Sequence, residues 1–212
     1  MLTIFHSSKG GSGTTVTAAS FALATAERHG KAMLIDMCGD SRAALGMADT
    51  DTPGLNDWLG ESHVAGADAL ISLGTALDNG LLVVHPGSRF VTGAPRWDAL
   101  VGAVTSWDFP VIIDAGTHYF PDELRGAADD DWLVTRACYL ALRRATRMAR
   151  PTGVILVREQ GRALTVRDVE AVLNVPVVAT ISFDPSVSRA VDAGVLPARN
   201  NETLGPQMPP VK

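Results

Sequence analysis

Short, almost uninterrupted apolar runs recur along this 212-residue chain, and longer stretches with helical spacing separate many of them. The runs are "LTIF" (2–5), "KAMLID" (31–36), "GLLVVHPG" (80–87), "FPVIIDAG" (109–116), "DWLVTR" (131–136), "TGVILVRE" (152–159) and "VPVVATIS" (175–182). A strand that lacks polar alternation must be buried on both faces, which a mainly parallel sheet between two helical layers provides. The pattern therefore predicts a doubly wound α/β fold. "TTVTAASFALATAERHG", stopped by Gly30, "ALRRATRMA", "TVRDVEAVLN" and "SVSRAVDAG" supply helices. Residues 1–196 read as a single domain. Residues 117–131 read as an acidic loop, and 197–212, with four prolines, as an irregular tail.

Apolar residues make up 46% and charged residues 19%, a globular balance, and the net charge of −5 gives no overall basic footprint for nucleic acid. Two cysteines, Cys38 and Cys138, are too far apart in sequence for a CxxC motif; both read as small buried residues. The first ten residues lack a signal-peptide pattern, and no apolar run reaches the roughly 18 residues of a membrane span. The expectation is a cytoplasmic protein.

The loop between the first strand and the first helix, "SSKGGSGTT" (7–15), carries the chemistry. A helix start offers unpartnered amides and a positive dipole end, and glycines let those amides approach an anion. Gly10, Gly11, Ser12 and Gly13 form the bend, and Thr14, Thr15 and Val16 open the helix. Taken alone, the residues leave three readings: a phosphate loop, a dinucleotide loop of the GxGxxG kind with Asp36 as its acidic partner, or a glycine turn without ligand. Val16 at the third glycine position counts against the second.

"SSKGGSGTT" resembles the deviant phosphate loop KGGxGKT of the ParA/MinD family, nearest the CpaE/TadZ-like branch. "AMLIDMCGDSRAALGM" (32–47), "PGLNDWL" (53–59), "FPVIIDAG" and "VPVVATISFDPSVSRAVDAGVL" (175–196) are similar to later family segments. The resemblance implies a P-loop NTPase fold of the SIMIBI type that binds ATP or ADP with Mg2+. It implies that Lys9 reaches across a nucleotide-sandwiched dimer, that Thr15, Asp36 and Asp114 serve the metal, and that Lys9 and Asp36 would be the catalytic residues if the site is active. Arg158, Asp184 and Pro185 would lie beside the base, with residues 10–16 cradling the phosphates.

Two positions depart from that pattern. Thr14 stands where the family keeps its loop lysine, and Cys38 where a second carboxylate orients water; Asp40 is a substitute only after a register shift. Losing one partner of a desolvated charge pair costs about 2–5 kcal/mol, roughly thirty- to several-thousand-fold. The resemblance thus implies weak or absent nucleotide and metal binding, and a dimerising scaffold for partition, septum or pilus placement that works with an unidentified protein partner. Two alternatives stay open: an active ATPase using Lys9, and an interaction module without nucleotide. Arg143, Arg144, Arg147 and Arg150 form a candidate DNA- or partner-facing stripe. The ending "NNETLGPQMPPVK" offers no amphipathic membrane anchor. His6 reads as a packed strand-end histidine, and Asp129, Asp130 and Asp131 as a solvated face.

Overall fold

All seven apolar runs become strands of one sheet in the computed structural model, which describes residues 1–60, 66–88, 91 and 94–211. In chain order the strands are β1 (Leu2–His6), β2 (Ala32–Asp36), β3 (Thr75–Ala76), β4 (Leu81–Val84), β5 (Val111–Gly116), β6 (Asp130–Arg136), β7 (Gly153–Arg158) and β8 (Val177–Ser182). Their order across the sheet is β3-β4-β2-β5-β1-β6-β7-β8, and all pairs are parallel except β3 with β4. β1, β2 and β5 are buried at every position, as strands covered on both faces should be.

Successive side chains go to opposite layers. Ile4, Met33, Ile35 and Ile113 enter one core, together with Trp58, Leu100 and Leu124 from the helices. Phe5, Leu34 and Ile112 enter the other, against α1 (Thr14–His29). The first layer is built from α3 (Leu55–Gly60), α4 (Ala67–Ser72), α5 (Trp97–Ser106) and α6 (Asp122–Ala127). A short α2 (Ser41–Ala44) follows β2. α7 (Tyr139–Ala145) and α8 (Val166–Leu173) pack a third cluster on β6 and β7. α9 (Pro185–Asp192) and α10 (Leu196–Arg199) end the helical series.

An aromatic trio locks α1 to the sheet. The ring centroids of Phe5, Phe21 and Trp132 lie 5.2–5.5 Å apart, two of the three pairs edge to face. Such pairs add about 0.5–1.5 kcal/mol each beyond their burial.

Two segments depart from the sequence reading. Residues 117–131 are not simply a loop: they contain α6 and the first residues of β6. Asp131 is not solvated but buried, paired with Arg125 and with its Oδ1 2.9 Å from His6 Nε2, while Asp129 accepts a 2.7 Å bond from the Leu2 amide. The segment after residue 196 is packed rather than irregular. Asn200 is buried; its side chain accepts from Ser20 Oγ (2.6 Å) and donates to the Ser20 carbonyl (3.1 Å), and Leu196 and Leu204 join the α1 core. Pro197 and Pro206 sit in the first turns of helical segments, where a missing amide hydrogen costs nothing, while Pro209 and Pro210 follow the last turn.

Candidate functional site

The carboxyl ends of β1, β2 and β5 deliver three chain segments to one crevice, the place where open α/β sheets bind ligands. The loop after β1 is braced by its own backbone and hydroxyls. Ser7 N donates to the Gly116 carbonyl at 2.6 Å, and Ser12 Oγ donates to the Lys9 carbonyl at 2.7 Å. Gly11 and Gly13 have φ of 76° and 90°, the left-handed region that turns the chain into α1. Gly13 caps α1 without a side-chain hydrogen bond, so the first-turn amides are left for an anion. A cavity of about 340 Å3 opens over residues 10–16, facing Cys38, Asp40 and Gly116 to His118. The bend is not filled by the protein's own side chains.

The sequence-selected residues take different places around this cavity. Gly10 to Val16 line it, Thr14 among them. Lys9 is exposed and lines neither this cavity nor the adjoining one. Asp36 is fully buried and already serves the backbone. Its Oδ1 accepts from the amides of Cys38 (2.8 Å) and Gly39 (2.9 Å), and its Oδ2 from Ser41 (2.8 Å). Asp114 is fully buried too. Its Oδ1 accepts from Gly116 N at 3.1 Å, but Oδ2 has no partner. Burial pushes the Asp114 carboxyl up to about 7; the neighbouring Asp36 and Asp40 add to this, and the Thr15 hydroxyl acts the other way.

A lone buried carboxylate oxygen beside a threonine hydroxyl and a second carboxylate is a donor set that suits a hard divalent cation. The residues present fit Mg2+. Asp40, which the sequence offered only after a register shift, is exposed at the cavity edge without one. Cys38 is half-buried and lines the cavity rather than lying in the core; burial, then Asp114, Asp36 and Asp40, push its thiol pKa upward.

A second cavity of about 340 Å3 shares Gly11, Ser12, Gly13 and Val16 with the first and runs toward the ends of β7 and β8. Its walls include Val157, Ile181, Phe183, Val187 and Val191, an apolar slot suited to a flat ring. Of the three expected base contacts, Asp184 lines the slot and also caps α9, accepting from Ser186 N at 2.7 Å. Arg158 and Pro185 do not line it. Arg158 is exposed, and its carbonyl accepts from Phe183 N at 2.8 Å. The arginine at the slot is Arg136, at the end of β6, with its guanidinium 5.7 Å from the Phe183 ring centre and paired with Glu159. Thr117, His118 and Arg136 escaped the sequence reading, and Phe183 entered it only as part of the Phe183-Asp184-Pro185 segment beside the base.

His6 is buried against Phe120, its ring 5.7 Å away. Arg143, Arg144, Arg147 and Arg150 are exposed, but α7 ends at Ala145, so the last two lie beyond it. Cys138 is half-buried and caps α7. Among the described residues no helix is long and apolar enough to cross a membrane.

No curated protein matches the sequence significantly. Solved structures do match. A ParA family ATPase from Chlorobium tepidum TLS is 20% identical, with a TM-score of 0.81 over 97% of this chain and 94% of that one. A chain of the MinC:MinD cell division protein complex of Aquifex aeolicus is 19% identical, with a TM-score of 0.72 over 100% of this chain and 98% of that one. The septum site-determining protein MinD of Pyrococcus horikoshii OT3, complexed with Mg-ADP, is 20% identical, with a TM-score of 0.68 over 98% and 92%. The fold is therefore that of the ParA/MinD P-loop proteins. The family described as the CobQ/CobB/MinD/ParA nucleotide binding domain matches residues 3–198. With nearly its whole length matched, and an open crevice beside its glycine loop at the carboxyl ends of its strands, this chain belongs to the CobQ/CobB/MinD/ParA nucleotide-binding family.

Proposed function

We propose that this chain binds ATP or ADP weakly with Mg2+ and acts as a dimerising cytoplasmic scaffold that positions a partner structure, with little or no turnover. One observation carries the reading: an open, uncapped amide loop has threonine at its cationic position. Thr14 lines the phosphate end of the crevice, where the resemblance places a lysine. Amides and helix dipole still favour an anion there, but no loop ammonium offsets the terminal phosphate. Thr15 and Asp114 would hold Mg2+, with Asp36 nearby, and the ion would neutralise phosphate charge. Asp36 meanwhile fixes the turn that presents Cys38. A thiol is a weak hydrogen-bond acceptor, so Cys38 aligns an attacking water poorly.

The positioning role follows the partition and division relatives. For a dimer face, Lys9 is exposed, and the Ser8 hydroxyl donates to the Ala141 carbonyl at 2.8 Å, placing α7 beside the loop. There Tyr139 and Leu140 are 70% and 56% exposed, apolar surface suited to a second copy. Restoring the charge tests the reading. Thr14→Lys should tighten Mg-ATP about thirtyfold or more by calorimetry; unchanged affinity would contradict the assigned role of Thr14.

Asp40 at the cavity edge favours a second reading, a slow ATPase in which Lys9 supplies the missing charge. It requires phosphate release from the wild-type protein that disappears in Lys9→Ala; equal release from both sinks it. A wild-type protein with neither nucleotide binding nor turnover would be an interaction module that keeps only the fold.

A further inference from the structure

Beside the Mg2+ donors stands a group that no hard-cation site needs. Asp36, Cys38 and Asp114 offer two carboxylate oxygens and a sulfur that all lie within 4.8 Å of one another. Asp114 Oδ2 is buried without a partner, and Asp36 Oδ2, accepting only from Ser41 N, keeps a lone pair. Cys38 lies beside this pair. Its Sγ is 3.8 Å from the Asp114 carbonyl, and Gly116, at φ +50°, leaves it room; a Cβ there would come within 2.3 Å of the sulfur. Zn–S and Zn–O bonds of about 2.3 and 2.0 Å require ligand atoms closer together than this. Metal binding would therefore have to draw these side chains closer together. Hydroxyl and carboxylate oxygens alone would serve Mg2+; adding sulfur shifts the preference to softer ions.

We infer that Asp36, Cys38 and Asp114 form a site for a thiophilic divalent cation such as Zn2+, Co2+ or Cd2+. Binding converts the Cys38 thiol to a metal-bound thiolate and releases its proton to solvent, so no oxidant or reductant takes part. Water fills the remaining coordination from the open cavity. All three ligands come from the protein, so the site stands without nucleotide.

The test is Co2+ titration of the full chain under non-thiol reducing conditions, without nucleotide, followed by the cobalt–thiolate charge-transfer band and the visible bands that report coordination geometry. The expected result is a saturable thiolate band at one ion per chain. It should be kept in Cys138→Ser, lost in both Cys38→Ser and Cys38→Ala, and displaced by Zn2+ but not by excess Mg2+. Zn2+ affinity should fall at least about tenfold in Cys38→Ser, with circular dichroism checking that each variant is folded. A wild-type protein without the band, a band that follows Cys138, or displacement by Mg2+ as readily as by Zn2+ would overturn the inference. A failure of nucleotide binding would leave it untouched.

Discussion

Thr14 and His6 mark the two ends of what one residue can do here. Thr14 lines the crevice, and under the proposed function its exchange for lysine should change nucleotide affinity with little effect on the sheet. His6 touches no ligand but lies in the core between Asp131, Arg125 and Phe120. Burial, assisted by the Arg125 charge, lowers its pKa to about 3. The folded state thus binds fewer protons than the unfolded one, whose histidine titrates near the ordinary 6.5. This contribution to stability is complete above about pH 6.5 and is lost as the pH falls toward the folded value. Denaturant unfolding should show roughly 2 kcal/mol less stability at pH 5 than at pH 7, and His6→Gln should flatten much of that slope. A slope unchanged in the variant would assign the acid sensitivity elsewhere.

Among elements, the strands were legible because each buried one had to be apolar throughout, and that leaves a mark no loop imitates. β3 left none: it has two exposed residues, Thr75 and Ala76. The packed C-terminal segment was hidden for another reason. Its prolines suggest irregular chain, yet Pro197 and Pro206 start helical turns, and the segment is anchored where Asn200 meets Ser20 across the fold. Asn200→Ala should cost about 1–3 kcal/mol by leaving the buried Ser20 hydroxyl without its acceptor. Phe21→Ala should cost about 3–5 kcal/mol by emptying the aromatic trio that clamps α1. Thermal or denaturant unfolding checks both, and Phe21→Ala should be the worse. The cavity over the glycine loop was readable from glycine spacing within one loop. The apolar slot was not, because Arg136 and Arg158 both close apolar strands, and only the assembled sheet puts the first at the slot and leaves the second in solvent. Asp131 was misjudged for a similar reason: three aspartates in a row look solvated, but α6 brings Arg125 over the last of them.

At the scale of the whole molecule, the proposed dimer face is the one that carries Lys9, Tyr139 and Leu140. Light scattering should show a larger dimer fraction with Mg-ATP than without it, and Lys9→Ala should abolish the increase. An unchanged monomer under both conditions would remove the scaffold. The claim beneath all of this is that backbone amides at the Gly10–Gly13 bend hold a phosphate chain without the neighbouring lysine. Calorimetric titration of the wild-type protein with Mg-ATP tests it most directly. The account predicts weak, saturable one-site binding that Gly13→Val, which cannot adopt the required positive φ without strain, eliminates. No heat up to millimolar nucleotide, or equal heat from Gly13→Val, would contradict it.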